Sequence, residues 1–123
     1  MIRLLPTALL AFALSIPASA QGPSGLTLEH RMLLRCSSAF ALVAHGQQSG
    51  DAAMLGYPSV AERGREYFVQ AMVRVMDDTG MARDEVAEQL TQEAQRLMAD
   101  EEGIAQIMPA CLASLADMVP AEG

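Results

Sequence analysis

Apolar residues recur at helical spacing in four stretches of the chain, and no stretch alternates over the length a strand needs. In the first, Leu28 to Ala44, the residues Leu28, Met32, Cys36, Ala39, Phe40 and Val43 share one face. Leu34 and Leu42 widen that face, which predicts a well-buried helix. Thr27 stands at the capping position, Glu29 meets the positive end of the helix dipole, and Gly46 is the expected stop. Gln47 to Pro58 reads as the longest irregular stretch, with Asp51 capping a short turn through Leu55 that Gly56 closes. Ser59-Val60-Ala61-Glu62 has the form of a capping box and opens a second helix, Val60 to Thr79. Its apolar face carries Val60, Tyr67, Phe68, Ala71, Met72, Val75 and Met76. Gly64 falls on the same face, where it predicts close approach of a neighbouring backbone.

Gly80 ends that helix, and a third runs from Arg83 to Ala99. With Ala82 as its cap, Met81 and Val86 occupy the positions of a hydrophobic staple and Glu85 that of a capping-box acid. Its apolar stripe, Val86, Leu90, Ala94, Leu97 and Met98, is narrow, so this helix is expected to be the most exposed. After an acidic turn, Asp100 to Gly103, the fourth stretch runs from Ile104 to Val119. Pro109 interrupts it and removes the amide that would bond the carbonyl of Ala105, so the pattern fits a kinked helix or two short ones. The fold class that follows is all-α, a small up-down four-helix bundle spanning 27–119 with a frayed tail at 120–123.

The N-terminus changes the setting. Arg3, an apolar run from Leu4 to Pro17 and Ala18-Ser19-Ala20 read as a signal peptide over 1–20, cleaved after Ala20. A loose Gly/Pro/Ser leader follows at 21–26. The signal is of the bacterial Sec type, which predicts a periplasmic or secreted protein. No later apolar stretch reaches spanning length. The formal net charge is -7, lysine is absent and all fifteen acids follow the signal. Such a surface repels phosphate backbones and anionic bilayers, so no nucleic acid and no membrane surface is expected as a partner.

Export also decides how Cys36 and Cys111, the two cysteines of the chain, are read. Both lie mid-way along an apolar helical stretch. In an oxidising compartment they should bond and clamp the first helix to the last. There is no C-x-x-C, so a thioredoxin-type redox role is not indicated. Eight of the nine methionines follow the signal. Met32, Met72, Met76, Met98, Met108 and Met118 fall on apolar faces, as core filler does, rather than clustering as Cu(I) ligands do. His30 and His45 stand at the two ends of one helix, where solvent or capping roles fit. No metal site and no cofactor is therefore expected.

Polar chemistry is densest from Glu62 to Phe68. Arg63 pairs by spacing with Glu66 and Tyr67, and with Arg35 these side chains form a candidate ligand site should they converge on a pocket. No nucleophile elbow or phosphate-cradling glycine loop occurs, so no catalytic residues are assigned and no enzyme is expected. The expected role is non-catalytic: an exported helical protein that binds another protein or an envelope component. A small-ligand or metal-binding module and an acid-activated chaperone are the alternatives. In the last, protonating fifteen acids while seven arginines stay charged would invert the surface charge.

The segments CSSAFALV, ERGREYFV and MPACL together resemble small exported helical proteins of unknown function from sphingomonad-type alphaproteobacteria. That resemblance spans most of the chain after the signal and implies an exported two-cysteine helical domain, with no activity attached. The layout also resembles that of periplasmic acid-stress chaperones, which are small helical bundles with one disulfide, though their Lys-rich character is missing here.

Overall fold

The computed structural model describes residues 25–122, so the signal-peptide reading and the start at Gln21 lie outside the described residues. Within them the chain forms α1 (Leu28–Ser49), α2 (Ala52–Leu55), α3 (Ala61–Thr79), α4 (Arg83–Ala99) and α5 (Gly103–Met118). The all-α class is the one observed, and no strand occurs among the described residues.

α1 is the centre of the fold, and it packs against every other helix, most extensively against α3 and α4. Its burial reaches almost all round: Leu33, Leu34, Cys36, Ala39, Phe40 and Val43 are all in the core. Around it lie two apolar clusters. The larger joins α1 to Tyr67 and Ala71 of α3, Leu97 of α4, and Met108, Cys111 and Leu115 of α5. The smaller joins Leu34 to Met72, Val75 and Val86 at the other side of α1, with Leu26, Met76 and Met81 packed on it. The residues that meet fix the directions. His30 faces Asp78 and Phe40 faces Gly64, so α1 and α3 run counter to each other. The Ser38 hydroxyl bonds the Leu90 carbonyl at 3.0 Å, and Leu26, Arg31 and Leu34 share a cleft with Gln89, Gln92, Glu93 and Arg96, so the middle of α4 lies on the first half of α1. α5 runs counter to α3: Ser114 meets Tyr67, and Val119, just past the end of α5, meets Arg63 in the first turn of α3.

Several expected boundaries moved, each for a local reason. α1 does not stop at Gly46 but continues to Ser49. Gly46 serves a close approach instead: a Cβ there would overlap the side chain of Met54 in α2. The true stop is Gly50, at φ 77°, where its amide bonds the Gln47 carbonyl and the Asp51 amide bonds the Gly46 carbonyl. The Ser59 capping box does not form. Val60 takes the N-cap position without a side-chain bond, and burying Val60 in the core outweighs placing the Ser59 hydroxyl. Leu28 and Met98, expected on apolar faces, are 76% and 62% exposed. Leu28 lies in the first turn beside Glu29, which is exposed as well, and Met98 is one step round the helix from the stripe that ends at Leu97.

Other expectations hold. Asp51 caps α2 through the Ala53 amide, and Gly56 closes it. Glu85 bonds the Ala82 amide at 2.8 Å, the half of a capping box that needs no hydroxyl. α5 is one helix through Pro109. Pro109 and Ala105 are both exposed, so the carbonyl that the proline leaves free meets solvent.

The Cys36–Cys111 disulfide is present, with Cα atoms 5.1 Å apart, and it bridges the first and last helices as expected. Both half-cystines are buried. No described helix is long and apolar enough to cross a membrane.

Candidate functional site

Two clefts border α4, and neither is lined by Arg35, Arg63 or Tyr67. Arg63 and Tyr67 are neighbours on α3, and both are spent on α5. The Arg63 guanidinium donates from Nε and Nη2 to the Val119 carbonyl, at 3.1 and 2.6 Å. The Tyr67 hydroxyl lies 2.8 Å from that of Ser114, and its ring packs edge-on against Phe40. Burial pushes the Tyr67 phenol above its ordinary value, and the bond to Ser114 works against the shift. Arg35 stands apart on α1, where its Nε is buried with no hydrogen-bond partner among the described residues.

The first cleft, of about 330 Å³, lies over α1 between α3 and α4. Small residues make room for it: Ala41 and Ala44 on α1, Ala61 and Gly64 on α3. Phe40, Phe68, Val60 and Leu90 give it apolar walls, and Ser37, Gln48 and Arg65 are its polar groups. Beyond the cleft the apolar surface continues down α3. Val69 and Val73 are 54% and 52% exposed, beside the partly covered Phe68 and Met76. The α2 segment that flanks the top of α1 is held by Gln47, whose amide nitrogen lies 3.0–3.1 Å from the carbonyls of Met54, Tyr57 and Pro58.

The second cleft, of about 390 Å³, lies between the start of α1 and the middle of α4. It is charged, and its central group is Glu93, only 7% exposed and bonded through Oε1 to Arg96 at 2.6 Å. Sequence reasoning passed over Glu93 because it read α4 from its apolar residues alone. The signal was there: Val86, Leu90, Glu93 and Leu97 follow at spacings of four, three and four, so Glu93 sits on the stripe itself. The small residues of the first cleft went unread for the related reason that alanine scores as ordinary core.

At the N-terminus of α1, His30 is buried, with Nδ1 accepting from the Thr27 amide at 3.1 Å and Nε2 at 2.8 Å from Asp78. Among the described residues no three His, Cys, Asp or Glu side chains gather to hold a metal ion. Searches with the chain against protein-family models, curated proteins and solved structures returned no match.

Proposed function

We propose that this chain is an exported, non-catalytic binding protein that takes an apolar helical segment of another protein into the cleft over α1. The observation that carries the reading is the run of the apolar surface. It leaves the cleft and continues along Phe68, Val69, Val73 and Met76, over more than two turns of α3. A small molecule fills the cleft and leaves that ridge in water, whereas an amphipathic helix covers both. Methionine at the ridge suits it to more than one partner shape. With a net charge of -7 the partner segment should be basic on its polar face. The bonded cysteine pair supports export, since such bonds persist in oxidising compartments.

The test is titration with a synthetic amphipathic helix of leucine on one face and lysine on the other. Ala41→Phe fills the cleft from an exposed position without entering the core. Affinity should fall about tenfold or more in that variant, equivalent to about 1.4 kcal/mol. Equal affinity in the two proteins would remove the cleft from the interaction, and no binding to either would remove the reading.

A further inference from the structure

We propose that the cleft between α1 and α4 binds a small zwitterion of the α-amino-acid class, with its ammonium group on Glu93 and its carboxylate on Arg31. This site is separate from the apolar cleft and does not depend on the reading given for it.

Glu93 is the starting point. A carboxylate that is nine-tenths buried must be matched by donors or a positive charge. Arg96 supplies one partner, at Oε1, from a side chain that is itself 63% exposed. Oε2 takes no hydrogen bond from any described residue, and Glu93 lines the cleft. The buried acid therefore presents half of its hydrogen-bonding capacity to the space between the helices.

Arg31 lines the same space from α1 and makes no ion pair with any described residue. The charge pattern then selects the ligand. A simple cation would meet Glu93 but also two guanidinium groups, and a simple anion would meet the guanidinium groups but also the buried acid. A molecule carrying both charges on neighbouring atoms satisfies all three. Gln89 and Gln92, one turn of α4 from Glu93 and Arg96, each bring an amide that can donate and accept. Leu26 and Leu34 form an apolar floor that fits an aliphatic side chain. A volume of about 390 Å³ holds a single amino acid with room for water.

The experiment is an NMR titration of the intact protein, followed at the side-chain amides of Gln89 and Gln92. L-leucine is the probe, with 4-methylpentanoate lacking the amine and leucinamide lacking the carboxylate as controls. Leucine should give saturable shifts, and each control should bind at least tenfold more weakly. Glu93→Gln should weaken leucine at least tenfold and leave 4-methylpentanoate unchanged or tighter. Should that variant not fold, Arg31→Gln, an exposed change, decides instead: it should weaken leucine and 4-methylpentanoate and spare leucinamide. Absence of saturable shifts with leucine, equal binding of the three compounds, or indifference to these substitutions would overturn the assignment.

Discussion

The hydroxyls of Tyr67 and Ser114 stand 2.8 Å apart in the contact between α3 and α5, and the Tyr67 ring is fully buried. Burial disfavours the phenolate and raises the Tyr67 phenol above 10.0, with the Ser114 bond opposing. The folded state therefore holds this proton more tightly than the unfolded chain does. The contribution is intact below about pH 10 and is lost as the pH rises through the folded value. Lysine is absent from the chain and both cysteines are bonded, so few other side chains titrate in that range. Thermal melts from pH 8 to 11 should show stability falling above about pH 10, and Tyr67→Phe should flatten the fall. Identical alkaline slopes in the two proteins would show that Tyr67 ionises as freely folded as unfolded.

Gly64 lets α3 lie on α1. A Cβ at this position would stand 3.0 Å from the Cβ of Phe40, and Phe40 has little room to retreat because Tyr67 packs on its ring at 5.2 Å. Gly64→Ala sets a helix-propensity gain of about 1 kcal/mol against that crowding, so its net effect should be small. Gly64→Leu gains nearly the same propensity, but its larger side chain should still cost about 1–3 kcal/mol by overpacking. Chemical denaturation of the three proteins measures this directly; a leucine variant as stable as the parent would mean that the helices separate without cost.

The disulfide closes a separation of 75 residues, for which the chain-entropy argument gives about 4–5 kcal/mol. Both half-cystines are buried, so reductant should act slowly on the folded protein and quickly once it unfolds. Denatured, unreduced protein should show no free thiol. Cys36→Ala with Cys111→Ala should lower the melting temperature by some tens of degrees, since ~1 kcal/mol moves a domain of this size by about 4–8 °C. A double variant that melts with the parent would make the bond incidental to the fold.

The helices and their core faces were legible because each buried residue repeats the same local pattern, as Cys36, Phe40 and Val43 do on α1. The helix ends were less so. Gly46 and Gly50 are the same residue to a pattern, yet one answers the bulk of Met54 and the other a left-handed turn. Which of them stops the helix depends on a segment that folds back later in the chain. Arg35, Arg63 and Tyr67 are close in spacing, but α5 claims two of them, and where α5 crosses follows from packing of the whole domain. Glu93 inverts the usual inference: an acid on an apolar stripe is visible in the sequence, but its burial is settled only by Leu26 and α1 beside it.

Ala82 is an N-cap with extended backbone, φ -71° and ψ 159°, and Glu85 already bonds its amide at 2.8 Å. A serine hydroxyl at that position would accept from the Glu85 amide and complete the reciprocal pair. Ala82→Ser should stabilise the protein by about 0.5–1 kcal/mol, a rise of a few degrees in melting temperature. A lower melting temperature would show that the Ala82 backbone is not held at the cap geometry.

His30 replaces the acid of a capping box and does a second task at the same time. Thr27 Oγ1 accepts from the His30 amide at 3.2 Å while His30 Nδ1 accepts from the Thr27 amide, so Nδ1 must be free of a proton in this arrangement. The ring proton is then on Nε2, where it is donated to Asp78 at 2.8 Å, tying the start of α1 to the end of α3. Arg74 approaches the same Asp78 oxygen at 4.0 Å and reaches Glu29 at 2.8 Å, a half-exposed network that adds little by itself. His30→Gln keeps an acceptor for the Thr27 amide but loses the link to Asp78; His30→Ala loses both. Stability should fall in the order parent, glutamine, alanine, with the capping share of the loss about 0.5–2 kcal/mol. Asp78→Asn should be additive with His30→Ala less one coupling term, which a double-mutant cycle isolates. A coupling of zero would leave His30 as a cap alone, with no link to Asp78.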